Sequence, residues 1–124
     1  MGNRISLVIG DVKLKAELND TATASAFKSL LPMELQMSRW GEEYYGDCGI
    51  ETDLSSDARE LMEVGELAIW PIGNALCIFF GPTPVSTGNE PRAASAVNPI
   101  GRILDDTGVL KKLGSAIKTK ISLI

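Results

Sequence analysis

The chain has 124 residues, enough for one domain that buries its own core without disulfide or metal staples. With 44% hydrophobic and 23% charged residues and a formal charge of -4, it lacks the strong basic face of a general nucleic-acid binder. It contains no histidine, which removes every Ser-His-Asp or Cys-His nucleophilic device and every zinc site that needs imidazole.

Met1-Gly2-Asn3-Arg4-Ile5-Ser6 fits the N-myristoylation pattern, but Ile5-Ser6-Leu7 already belongs to a strand. Arg4–Ile9 alternates with Ile5, Leu7 and Ile9 on one face, and Val12, Leu14, Ala16 and Leu18 alternate against Lys13, Lys15 and Glu17. Gly10-Asp11 between them signals a hairpin, because glycine supplies the positive φ of a tight turn. Asn19 or Asp20 then caps a helix over Thr21–Leu31, which Pro32 stops. A third alternating run, Met33, Leu35 and Met37, reaches Arg39-Trp40 before Gly41 breaks it, and Glu42–Tyr45 reads as a short two-faced strand. Gly46–Ser56 reads as polar loop, and Asp57–Val64 leans towards extended chain.

Two apolar runs, Leu67–Trp70 and Ala75–Phe80, flank Pro71-Ile72-Gly73-Asn74 and end at Gly81-Pro82-Thr83-Pro84. Aromatic and branched runs between such punctuation read as strands buried on both sides, joined as a hairpin through the middle of the core. Val85–Asn98 is rich in small and polar residues and reads as a long irregular excursion, followed by a short strand over Pro99–Leu104. Asp106 caps a short helix over Thr107–Leu113, and Ile117–Leu123 alternates to the end. A chain that begins and ends on well-patterned strands can remove both sheet edges by pairing them. The expectation is therefore a mainly β fold, a closed antiparallel barrel of about eight strands with two short helices.

Charge is unevenly spread. Residues 1–91 hold six basic and fourteen acidic residues, and Glu42–Glu66 holds nine carboxylates against Arg59 alone. No stretch approaches the ~18 apolar residues of a membrane span, and no charged start followed by an apolar run marks a signal peptide. A cytoplasmic location is the default expectation, with no membrane or nucleic-acid partner. Cys48 and Cys77 lack CxxC spacing, and the spacing favours neither a bridge nor two free thiols.

From Trp70-Pro71-Ile72-Gly73-Asn74 through Phe79-Phe80-Gly81-Pro82-Thr83-Pro84 the chain resembles a small prokaryotic cyclophilin-like family. The helix ending at Pro32, Trp40-Gly41-Glu42-Glu43-Tyr44-Tyr45 and Asn98-Pro99-Ile100-Gly101-Arg102-Ile103 lie at the expected intervals, so the resemblance covers most of the chain. It implies the cyclophilin barrel, eight antiparallel strands with a helix at each end. True cyclophilin prolyl isomerases carry Phe-His-Arg soon after the first helix and Gln-Gly-Gly-Asp a little later. Neither string occurs here, so the resemblance extends to the fold and not to the catalytic residues.

Prolyl isomerisation needs no nucleophile, only an apolar grip on proline and a donor that favours the twisted amide. Arg39 and Arg102 are the candidate catalytic donors; the plainer reading of each is a solvated or surface-paired arginine. Trp40, Tyr44, Tyr45, Trp70 and Phe80 are candidate ligand-binding residues in a barrel-side cleft, with Thr83 at its rim. Against this, aromatic residues in strands are commonly core, and Thr83 between two prolines suits a rigid turn. Glu42 and Glu43 are neighbours in a strand and face opposite ways, so they cannot share an acid–base site. Asp47, Glu51, Asp53 and Asp57 lack calcium-loop spacing, and no cofactor or metal is expected. The leading functional expectation is binding of a proline-containing peptide or small ligand. A weak or atypical peptidyl-prolyl isomerase and a structural homodimer are the alternatives.

Overall fold

In the computed structural model, which describes residues 3–124, alternation translates directly into strands. Met1 and Gly2, and with them the start of the myristoylation pattern, lie outside the described residues. Strands β1 (Arg4–Ile9) and β2 (Val12–Leu18) pair in the register Ile9↔Val12, leaving Gly10 and Asp11 as the turn. Gly10 has φ 60, the left-handed conformation that glycine adopts without a Cβ penalty. The remaining elements are α1 (Ala22–Ser29), β3 (Met33–Arg39), β4 (Glu43–Asp47), β5 (Arg59–Leu61), β6 (Glu66–Trp70), β7 (Ala75–Phe79), β8 (Arg92–Ile103) and β9 (Ala116–Leu123).

The strands pair antiparallel in the order β2-β1-β9-β3-β4-β7-β6-β8, and β8 returns to β2 to complete a ring. First and last strands do pair, from Ile5↔Leu123 to Ile9↔Thr119. The closing β2–β8 contact runs from Ala16↔Ile103 to Leu18↔Gly101. Strand β5 is attached to β8 outside the ring. Among the described residues no helix is long and apolar enough to cross a membrane.

The interior is filled by the inward side chains of every ring strand, including Ile5, Leu7, Met37, Tyr44, Ile69 and Ile78, with Phe27 of α1 added to the same cluster. The central hairpin is buried on both faces, which is why its sequence does not alternate. Leu67, Ile69, Leu76 and Ile78 point into the ring. Ala68, Cys77 and Phe79 point out and are covered by Met62, Ala93 and Val97 in a second, smaller cluster.

Four expectations need correction. The cap of α1 is Thr21, whose hydroxyl accepts from the Ala24 N–H at 3.1 Å, while Asn19 holds that hydroxyl at 2.6 Å. The helix itself is shorter than expected, ending at Ser29. Residues 107–113 do not form a second α-helix. Gly108–Lys112 makes a 3-10 turn with bonds such as Leu110 N–H to Thr107 O (2.9 Å), because so short a segment between two strands cannot repay α nucleation. Finally, the irregular excursion stops at Pro91, and β8 runs unbroken through twelve residues. Its first half is rich in alanine and serine because it lies close against the outer sheet face, not because it is loose. Pro99 is tolerated mid-strand at a bulge, where the register shifts between Leu67↔Gly101 and Ala68↔Pro99.

Candidate functional site

Because Ala93, Ala94 and Val97 approach the outer face of β4–β7–β6 from β8, a cleft of about 280 Å³ is left between them. Its other walls are Trp40 from the β3–β4 turn, Glu43 and Tyr45 from β4, Trp70 at the end of β6 and Cys77 from β7. The strand period of two puts Glu43 and Tyr45 on one face, and the register Tyr45↔Cys77 sets the thiol beside them. The Trp70 indole is fixed by its N–H, which donates to Ser95 Oγ at 2.7 Å, tying β6 to β8 across the cleft. The turn bearing Trp40 is held equally firmly. Gly41 adopts φ 61, and a Cβ there would lie 2.8 Å from both Pro84 and the Thr83 backbone. Among the cleft-lining residues Glu43 alone carries a charge.

Glu43 is 4% exposed, and its Oε1 has no hydrogen-bond partner. Burial pushes its carboxyl up from an ordinary 4.5 to about 7, and the neighbouring Cys77 thiol pulls it back only in part. Burial, with Glu43 adding to it, drives the Cys77 thiol well above the usual thiol range, so it stays protonated and unreactive. Cys48 and Cys77 are both free thiols. The cleft therefore combines apolar aromatic walls with one carboxyl group poised between its two charge states.

Trp40, Tyr45 and Trp70 come together in this cleft. The other candidates lie elsewhere. Tyr44 and Phe80 are inside the ring, stacked with centroids 5.4 Å apart. Thr83 braces the loop before β8, its hydroxyl donating to the Arg92 carbonyl and its N–H to Ser86 Oγ at 2.9 Å. Arg39 lies over the Phe80 ring at 5.2 Å and donates to the carbonyls of Gly41, Lys111 and Leu113. Arg102 is exposed and faces Glu63 at 3.4 Å. Neither arginine lines the cleft. Glu43 was the residue to find from sequence. The alternation that parts it from Glu42 also places it beside Tyr45, and no sequence signal showed that β8 would bury that face.

A family model described as Cyclophilin-like matches residues 3–122. The chain is also similar to the solution structure of the hypothetical protein AF2241 from Archaeoglobus fulgidus. That comparison has a TM-score of 0.82 and 29% sequence identity, covering 99% of this chain and 95% of that one. A search of curated proteins finds no match.

Proposed function

As the chain belongs to the cyclophilin-like family, we propose that its ring is a cyclophilin-like barrel that binds a peptide side chain or small ligand in the outer-face cleft. The observation that carries this reading is the convergence of Trp40, Tyr45 and Trp70 on one open, mostly apolar concavity of about 280 Å³. That volume sits at the small end of ligand pockets and suits one side chain or a compact molecule. Rigid aromatic walls lose little entropy on binding, and the Ser95 bond to Trp70 pre-organises one of them. A cytoplasmic location, with both cysteines reduced, belongs to the same proposal.

The chain has two tryptophans and both line the cleft, so intrinsic fluorescence reports on occupancy. Titration with a library of short proline-containing peptides and compact apolar ligands is expected to give a saturable shift or quench. Replacing Trp40 by alanine is expected to weaken the affinity at least about tenfold, the usual loss for a central aromatic anchor. No saturable change with any ligand, from protein whose circular dichroism is native, overturns the reading.

A further inference from the structure

Resting on that cleft reading, we propose that the group the cleft takes is an alkylammonium cation, with the Glu43 carboxylate as counter-ion and the rings of Trp40, Tyr45 and Trp70 as its cage. Three observations carry the choice. First, Glu43 is only 4% exposed, lines the cleft, and has an oxygen that accepts no hydrogen bond. A buried carboxylate without a partner costs free energy that a cationic group relieves, through its charge alone when the nitrogen is fully alkylated and through a hydrogen bond as well when it keeps an N–H. Second, the faces of tryptophan and tyrosine attract cations, and alkylated ammonium groups are the ligands such cages hold best. Third, among the described residues no lysine or arginine lines the cleft.

The charged groups on every element around Glu43 are already committed or neutral. Cys77 on β7 is a protonated thiol. Arg39 at the end of β3 faces Glu42 at 3.7 Å and is anchored on carbonyls. Glu66 on the outer face of β6 is held by Arg59 at 2.6 Å. Arg92 at the start of β8 faces Glu90 at 3.3 Å. Asp47, one strand repeat beyond Tyr45 on β4, is exposed and accepts from the Gly49 N–H at 2.8 Å. An anionic ligand would meet the Glu43 carboxylate as a like charge, and a neutral one gains the apolar walls without the charge pairing.

The test compares choline with 3,3-dimethyl-1-butanol, its neutral isostere in which carbon replaces the ammonium nitrogen, by calorimetry and tryptophan fluorescence at pH 6 and pH 8. Choline is expected to bind at least about tenfold more tightly than the isostere at pH 8. With Glu43 titrating near 7, choline affinity should fall about tenfold from pH 8 to pH 6, while that of the isostere stays level. Glu43→Gln keeps the shape and removes the charge, and is expected to abolish the pH profile and to cut the preference to what the aromatic faces alone supply. The wild-type pH profile supplies the same information should that variant fold poorly. A tripeptide carrying trimethyl-lysine, run alongside, distinguishes the source of the cation: tighter binding than choline assigns it to a peptide side chain, weaker binding to a free amine. Equal binding of choline and its isostere overturns the cation while leaving the cleft reading intact. Failure of all three ligands overturns the cation, and the library titration decides the cleft separately. Choline binding that is indifferent to pH removes Glu43 as the counter-ion.

Discussion

The Glu43 carboxyl, 4% exposed on the outer face of β4, ties stability to pH. Its value of about 7 in the folded protein against an ordinary 4.5 means that, between those limits, only the unfolded chain releases the proton. Stability should therefore fall as pH rises through that window, at about 1.4 kcal/mol per unit, and level off above it. Glu43→Gln lacks this liability. Denaturant unfolding of both proteins at pH 4 and pH 8 is expected to show the variant gaining on wild type by about 3 kcal/mol between the two. A difference that does not change with pH would place Glu43 in a wetter site than its burial indicates. Arg39 makes the opposite case. Its guanidinium is spread over three carbonyls and the Phe80 ring, which leaves the cleft without an arginine donor. In a protease-coupled assay on a proline peptide, the expected rate is the uncatalysed one, for wild type and for Arg39→Ala alike.

At the scale of elements, β8 decides most. Its second half closes the ring against β2 and β6, and its first half leaves the ring, pairs with β5 and walls the cleft. Where it meets β2 there is no room to spare, since a Cβ on Gly101 would collide with the Glu17 carbonyl and lie 3.0 Å from Leu18 Cα. Gly101→Ala is expected to cost about 1–3 kcal/mol, the usual penalty of overpacking against backbone, read as a lower midpoint in thermal unfolding. Alternating strands such as β1, β2, β3 and β9 were legible because one face is apolar and the other wet, and period two follows. The first half of β8 was not legible for the converse reason. Ala93 and Val97 lie against a surface made by residues 62–79, and a run of small side chains carries no sign of which surface it will meet.

Over the whole molecule, ring closure leaves each of its strands with a neighbour on both sides, while β5, attached outside, is three residues long and carries Arg59 and Glu60. Short charged edges resist edge-to-edge pairing, so light scattering across a wide concentration range is expected to return a monomer. A concentration-dependent dimer would revive the structural reading of this chain. The sequence by itself determined the mainly β class, the two-sided burial of the central hairpin and the meeting of β1 with β9, because those follow from local periodicity and the need to satisfy edges. Only the tertiary structure decided that Tyr44 and Phe80 face inward while Trp40, Tyr45 and Trp70 share a cleft with a buried carboxyl. Which face of a strand becomes interior, and which outer face a later strand will cover, depends on contacts between residues far apart in the chain, and no local pattern records them.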